Sequence, residues 1–185
     1  MAESRFPFEQ YMSEAFIESA GAILFRLASR EICVLHVLDS DEYVLAKGRR
    51  NCGESRQAAA LRELTEETGF SGRILPLNMH TRSPPAVETE KLDDGARFYQ
   101  GITEPLALQI RRSSDREVKL IWWYAATVDE TIPPVESPEK DRFAVYFFNY
   151  SDVLDKLTFR TDREMVKKAI DLVEETYGQG LIHPL

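Results

Sequence analysis

The stretch Gly48-Arg-Arg-Asn-Cys52-Gly-Glu54-Ser55-Arg-Gln-Ala-Ala-Ala60-Leu61-Arg62-Glu63-Leu64-Thr-Glu66-Glu67-Thr68-Gly69-Phe70 places acid at fixed offsets within a run built for helix. From Ser55 to Thr68 the chain is rich in Ala, Leu, Arg and Glu with no internal Gly or Pro, which predicts a helix. Ser55 suits the N-cap, and Gly69 suits the residue just past the end, where the backbone turns left-handed. Ala60, Leu61, Leu64 and Thr68 form one stripe that should pack on a sheet. Glu63, Glu66 and Glu67 stand at i, i+3 and i+4, so their carboxylates are expected to converge. Like charges at that spacing repel unless a cation sits among them; taken alone, the run also fits a solvated helix face. Carboxylate oxygens are hard ligands suited to Mg²⁺ or Mn²⁺ rather than zinc. Arg62 can pair with Glu66 along the helix or reach back to brace Glu54.

Outward from this helix, turn-bounded segments rich in β-branched and aromatic residues predict strands at Ala20 to Leu27, Glu31 to Leu38 and Tyr43 to Ala46. Beyond it come Arg73 to Leu77, Ala96 to Tyr99, Ala107 to Ile110, Val118 to Thr127 and Arg142 to Phe148. Two proline-bearing loops interrupt them, Ser83 to Gly95 and Asp129 to Asp141, and such loops often form functional rims. Asp162 to Tyr177 reads as an amphipathic closing helix with Met165, Ala169, Leu172 and Val173 on one face. The 185 residues lack a composition break or repeat, so one domain is expected, with residues 1–17 as an N-terminal extension and 178–185 as a tail.

The formal charge of −8 argues against a general binder of nucleic acid or anionic membrane. Local cations can still receive an anionic small molecule. Cys33 and Cys52 are too few for a disulfide framework, and free thiols in a reducing compartment are expected. Charge and proline interrupt the first ten residues, so they do not form a secretory apolar core, and no apolar run approaches ~18 residues. A cytoplasmic or nuclear protein, monomeric or homodimeric, is expected, with secretion left open should a leader have been removed. Asn149-Tyr150-Ser151 matches the glycosylation sequon, which is read as chance.

The segment from Gly48 to Phe70 resembles the Nudix box, a 23-residue signature Gly-x5-Glu-x7-Arg-Glu-U-x-Glu-Glu-x-Gly-U with U a bulky apolar residue. Gly48, Glu54, Arg62, Glu63, Leu64, Glu66, Glu67, Gly69 and Phe70 fill all nine specified positions. From average residue usage, a chance match at one start position is on the order of 10⁻⁹. The resemblance implies an α/β fold, the Nudix α/β/α sandwich with a mixed central sheet. It also implies Mg²⁺-dependent hydrolysis of a diphosphate linkage in a small molecule. On that reading Glu63, Glu66 and Glu67 hold the metal, with the Gly48 carbonyl adding a ligand, while Glu54 and Arg62 fix the loop against the helix. A general base must take a proton from the attacking water, and Glu63 is the first choice and Glu139, in the second long loop, the second.

Lys47, Arg49, Arg50 and Arg56 make the entry to the helix locally basic. Lys-Gly-Arg at this place resembles the diphosphoinositol polyphosphate and diadenosine polyphosphate hydrolases of the family, although Ala46 stands where those branches usually carry proline. Arg97, Arg111, Arg112 and Lys119 are further candidates for phosphate contact. An ADP-ribose or nucleoside-diphosphate-sugar pyrophosphatase is the alternative, with Pro85 near the position where that branch expects proline. A phospho-ligand binding module without turnover is the non-enzyme alternative; no box glutamate is degenerate, as such a module would favour. Trp122, Trp123 and Tyr124 alternate faces on a strand, so only some of them can line one pocket.

Overall fold

The computed structural model describes residues 6–87, 93–114 and 117–178. Residues 1–5, 88–92 and 179–185, parts of the expected extension, first loop and tail, lie outside the described residues, as do 115 and 116. The strands are β1 (Phe16–Arg26), β2 (Glu31–Val37), β3 (Glu42–Val44), β4 (Lys47–Arg49), β5 (Gly72–Ile74), β6 (Leu77–Thr81), β7 (Arg97–Ile102), β8 (Ala107–Ser114), β9 (Glu117–Val128) and β10 (Phe143–Asn149). Three helices, α1 (Arg56–Thr68), α2 (Val153–Lys156) and α3 (Arg160–Tyr177), complete the described elements.

The main sheet runs β10-β2-β1-β9-β5, with β3 beside β2, β4 beside β1 and β8 beside β9. Its centre is the parallel pair β1·β9, in register from Phe16↔Val118 to Phe25↔Thr127, and its other ladders are antiparallel. Alternation along β1 and β9 divides the core. Ala20, Ala22, Leu24 and Ala126 face α1, meeting Ala59, Ala60 and Leu64. Ile23, Phe25, Ile121 and Trp123 face α3, meeting Met165, Val166, Ala169 and Leu172. This is the expected α/β/α sandwich with a mixed central sheet.

Several elements differ from the sequence reading. The segment Arg73 to Leu77 is not one strand: Pro76 offers no N–H to a ladder, and the chain passes from β5 on the main sheet to β6. There β6 pairs with β7 in a separate two-stranded sheet. The expected strand Tyr43 to Ala46 ends early, at Val44 in β3, where the chain leaves β2, and pairing resumes with β1 only at Lys47, past the expected end, as β4. β1 begins at Phe16, inside the expected extension. Helix α2 has four residues, too few for a periodic signal, and is held by the fully buried Val153. Among the described residues no helix is long and apolar enough to cross a membrane.

Candidate active site

Helix α1 begins where Ser55 Oγ accepts from the Ala58 N–H and ends where Gly69, at φ 77°, donates its N–H to the Thr65 carbonyl. Its buried side holds Ala59, Ala60, Leu64 and Thr68, with Leu61 partly covered. It also holds Glu63 and Glu67, only 9% and 5% exposed. Two of the three acids are therefore not on a solvated face.

β4 makes the room they need. A Cβ on Gly48 would lie 1.9 Å from the Glu63 carboxyl, so the absent side chain is what lets that group pass beside the strand. The Lys47 N–H donates to Glu67 Oε2 at 2.8 Å. Burial pushes the Glu67 carboxyl up to about 7; the Lys47 N–H and ammonium oppose that, and Glu139 and Glu63 add to it.

Arg62 does both things the sequence allowed. Its Nε and Nη2 donate to the two oxygens of Glu54 at 2.9 and 3.1 Å, and Nη2 also donates to the Arg49 carbonyl at 2.8 Å. Nη1 donates to Glu63 at 2.8 Å and to Glu66 at 2.9 Å, holding those two carboxylates side by side. These bonds keep the Glu54 carboxyl below the usual range, aided by the Asn51 N–H.

The expected convergence is therefore incomplete: Glu63 and Glu67 line one pocket, whereas Glu66 is drawn to Arg62 and does not line it. Among the described residues no three His, Cys, Asp or Glu side chains already form a metal cage. The donor set nevertheless fits a hard divalent cation. It consists of carboxylate oxygens, one of them on the buried Glu67, which has no bonded cation among the described residues, beside Gly48, which lines the same pocket. Glu63, Glu66, Glu67 and the Gly48 carbonyl are the groups that would hold it.

The second long loop crosses the end of α1. The Val135 N–H donates to the Gly69 carbonyl at 2.9 Å, and Ser137 Oγ donates to the Glu66 carbonyl at 2.6 Å. These bonds satisfy oxygens that a helix terminus leaves unpaired. They also deliver Glu139 to the pocket, where Arg142 Nη1 donates to its carboxylate at 3.1 Å.

The pocket has a volume of about 480 Å³. Its sheet face carries Lys47, Arg49, Arg111 and Lys119, and none of the four makes an ion pair among the described residues. Burial holds the Lys119 ammonium below its ordinary value; Lys47, Arg49 and Arg111 add to this, and Glu63 opposes it. The other candidates lie elsewhere. Arg50 donates to Glu18 at 2.9 Å and to the Glu54 carbonyl, Arg97 is tied to Asp93 on the two-stranded sheet, and Arg112 binds Glu9 and Tyr11. Arg50 and Arg97 thus brace the fold and do not line the pocket. Trp123 lines it, whereas Trp122 faces α1, with Arg56 stacked over its ring and its N–H donated to Glu18.

The family profile of the NUDIX domain matches residues 16–169. The chain belongs to the Nudix family. As a Nudix protein it is a hydrolase of phosphoanhydride bonds in small phosphate compounds, a chemistry that generally uses a divalent metal. Solved structures share the fold at low identity. A binary complex of Caenorhabditis elegans Ap4A hydrolase superposes with a TM-score of 0.58 at 15% identity, covering 86% of this chain and 98% of that one. A Nudix hydrolase from Nitrosomonas europaea gives 0.55 at 14%, covering 91% and 93%. A UDP-X diphosphatase gives 0.51 at 16%, covering 94% of this chain and 66% of its own.

Proposed function

We propose that this Nudix hydrolase is a Mg²⁺-dependent pyrophosphohydrolase of polyphosphorylated small molecules, diphosphoinositol polyphosphates or diadenosine polyphosphates. The observation that carries the reading is the set of four cations, Lys47, Arg49, Arg111 and Lys119, that line the pocket of Glu63 and Glu67 and make no ion pair among the described residues. Such cations offset the cost of desolvating a phosphate chain longer than a diphosphate and orient it.

A bound divalent ion supplies charge neutralisation at the phosphate oxygens and a more acidic water. The chain's own residues do the rest. The cations align the substrate, Arg62 and Glu54 hold the helix entry rigid, and a carboxylate of the pocket takes the proton of the attacking water. Glu63 and Glu139 are the two candidates for that proton. Glu139→Gln separates them. If Glu139 is the base, kcat falls by about 10²-fold or more with Mg²⁺ half-saturation unchanged; if Glu63 is, kcat stays within a few fold.

The test of the function is a product-mass assay with Mg²⁺, repeated with EDTA. Its substrates are a diphosphoinositol polyphosphate, diadenosine tetraphosphate, ADP-ribose and a UDP-sugar. Lys119→Ala and Arg111→Ala are each expected to raise KM about tenfold on the polyphosphorylated substrates and much less on ADP-ribose. Higher kcat/KM on ADP-ribose or the UDP-sugar overturns the reading in favour of the alternative branch. Ligand binding without any turnover makes the chain a binding module.

A further inference from the structure

One acid that lines the pocket, Asp162, and the amide bonded to it, Gln109, have no part in the reaction described above. Asp162, in the first turn of α3, is 3% exposed, and its side-chain partner among the described residues is a neutral amide, Gln109 Nε2 at 3.2 Å. It makes no capping bond to its own helix, whose N-cap residue is Phe159. Its second carboxylate oxygen has no hydrogen-bond donor among the described residues, which leaves acceptor capacity for a group in the pocket. Both Asp162 and Phe159 line the pocket that holds Glu63 and Glu67.

The orientation of Gln109 is determined by its neighbour. Trp123 Nε1 donates to Gln109 Oε1 at 3.0 Å. An indole N–H can only donate, so the amide oxygen must face it and the amide nitrogen must face Asp162. The result is a fixed acceptor beside a fixed donor.

Sheet order shows where this pair sits relative to the cleavage chemistry. At this end the strands run β4, β1, β9, β8, as the rows Arg49↔Ser19↔Ile121↔Gln109 show. β4 carries Gly48 beside Glu63, and β8 carries Gln109, three strand spacings or roughly 14 Å away. A bare diphosphate does not cover that span. Arg111 lies two residues along β8 from Gln109 on the same face, with Lys119 opposite it on β9, so these two cations flank the span.

We infer that Asp162 reads the group attached to the phosphate chain and that Gln109, bonded to Trp123 and Asp162, positions it, the two forming a specificity pair. The pair selects a neutral group bearing hydrogen-bond donors, such as sugar hydroxyls or an exocyclic amine, and turns away a group that carries further phosphates. The apolar wall beside the pair is Phe159, 37% exposed, which suits a planar ring, with the buried Trp123 behind Gln109. A phosphate placed there would meet the Asp162 carboxylate as a like charge. The inference rests on the pyrophosphohydrolase reading, and of its two substrate classes it chooses dinucleoside polyphosphates over diphosphoinositol polyphosphates.

The test uses the full chain with Mg²⁺, diadenosine tetraphosphate and a diphosphoinositol polyphosphate as substrates, and inorganic tripolyphosphate as a competitive inhibitor lacking any attached group. Wild type is expected to favour diadenosine tetraphosphate by about tenfold or more in kcat/KM. Asp162→Asn is expected to raise KM for that substrate about tenfold with kcat within about twofold, leave the inhibition constant of tripolyphosphate within about twofold, and weaken the discrimination against diphosphoinositol polyphosphate. Gln109→Ala, at a half-buried strand position, should reproduce the pattern and carries the test if Asp162→Asn does not fold. A uniform loss across substrate and inhibitor makes the pair merely structural and overturns the inference. So does preference of the wild type for diphosphoinositol polyphosphate, which leaves the pyrophosphohydrolase reading standing. Turnover of neither substrate overturns that reading as well.

Discussion

Arg62 and Gly48 show how single residues set the active site. The guanidinium of Arg62 joins Glu54, Glu63, Glu66 and the Arg49 carbonyl, so one planar fork connects loop, helix and β4. Gly48 acts by what it lacks. In Gly48→Ala the new methyl group would displace only the far end of the Glu63 side chain, which is flexible, so the fold should survive while the carboxylate moves. The expected outcome is a rise of about 10- to 100-fold in the Mg²⁺ concentration for half-maximal turnover, with an unchanged urea midpoint. Normal metal dependence in that variant would remove Glu63 from the ligand set. The identities of these residues were legible in the sequence because the box spacing is local. The partners of the outlying cations were not: whether Arg50, Arg97, Arg111 or Lys119 meets a carboxylate or the pocket depends on cross-strand register. The Gln109–Asp162 contact joins β8 to α3 and left no local signal.

At the scale of elements, helix α1 was readable to within a residue, since its caps and its stripe are short-range features. What the stripe did not reveal is that Glu63 and Glu67 share the buried side, because their burial is supplied by β4 and the second long loop. That loop is docked through Gly69. A Cβ there would lie 2.2 Å from the Val135 carbonyl oxygen, and φ is 77°. Gly69→Ala therefore faces both backbone strain and a clash with main chain that cannot swing aside. We expect a loss of about 1–3 kcal/mol in urea unfolding, accompanied by faster hydrogen exchange at the Val135 amide. Unaltered exchange at that amide would mean the loop is held by other contacts. Strand boundaries around Pro76 and Ala46 were misread for one reason: the switch of a chain between neighbours is decided by the strands it joins.

Across the whole molecule, buried acids of high pKa set the alkaline limit of stability. Burial pushes the Cys33 thiol up to about 12, with Arg26 opposing, and the Tyr150 hydroxyl up to about 12, with Glu174 adding and Arg30 opposing. In the unfolded chain these groups lose their protons near their ordinary values of 9.0 and 10.0. Between those values and about 12 the native state holds more protons than the unfolded state, so unfolding free energy falls as pH rises. Stability from this source is complete below about 9 and is lost on approaching 12. Urea midpoints should decline steadily from about pH 8.5 to about pH 11, and less steeply in Tyr150→Phe. Equal slopes for the variant and the wild type would exclude the tyrosine from the effect.

The parallel pairing of Phe16–Phe25 with Val118–Thr127 has a consequence for the life of the chain before it is an enzyme. Its two members are separated by more than half of the polypeptide, so the contact order is high and loop-closure entropy must be met before the central ladder rewards it. During synthesis α1 and its glutamates emerge well before β9 and the cations of β8 and β9. The nascent N-terminal half therefore has half of the pocket and a β1 whose β9-facing edge is still open, although β2 and β4 already pair with it, and hydrolysis waits on the arrival of the second half.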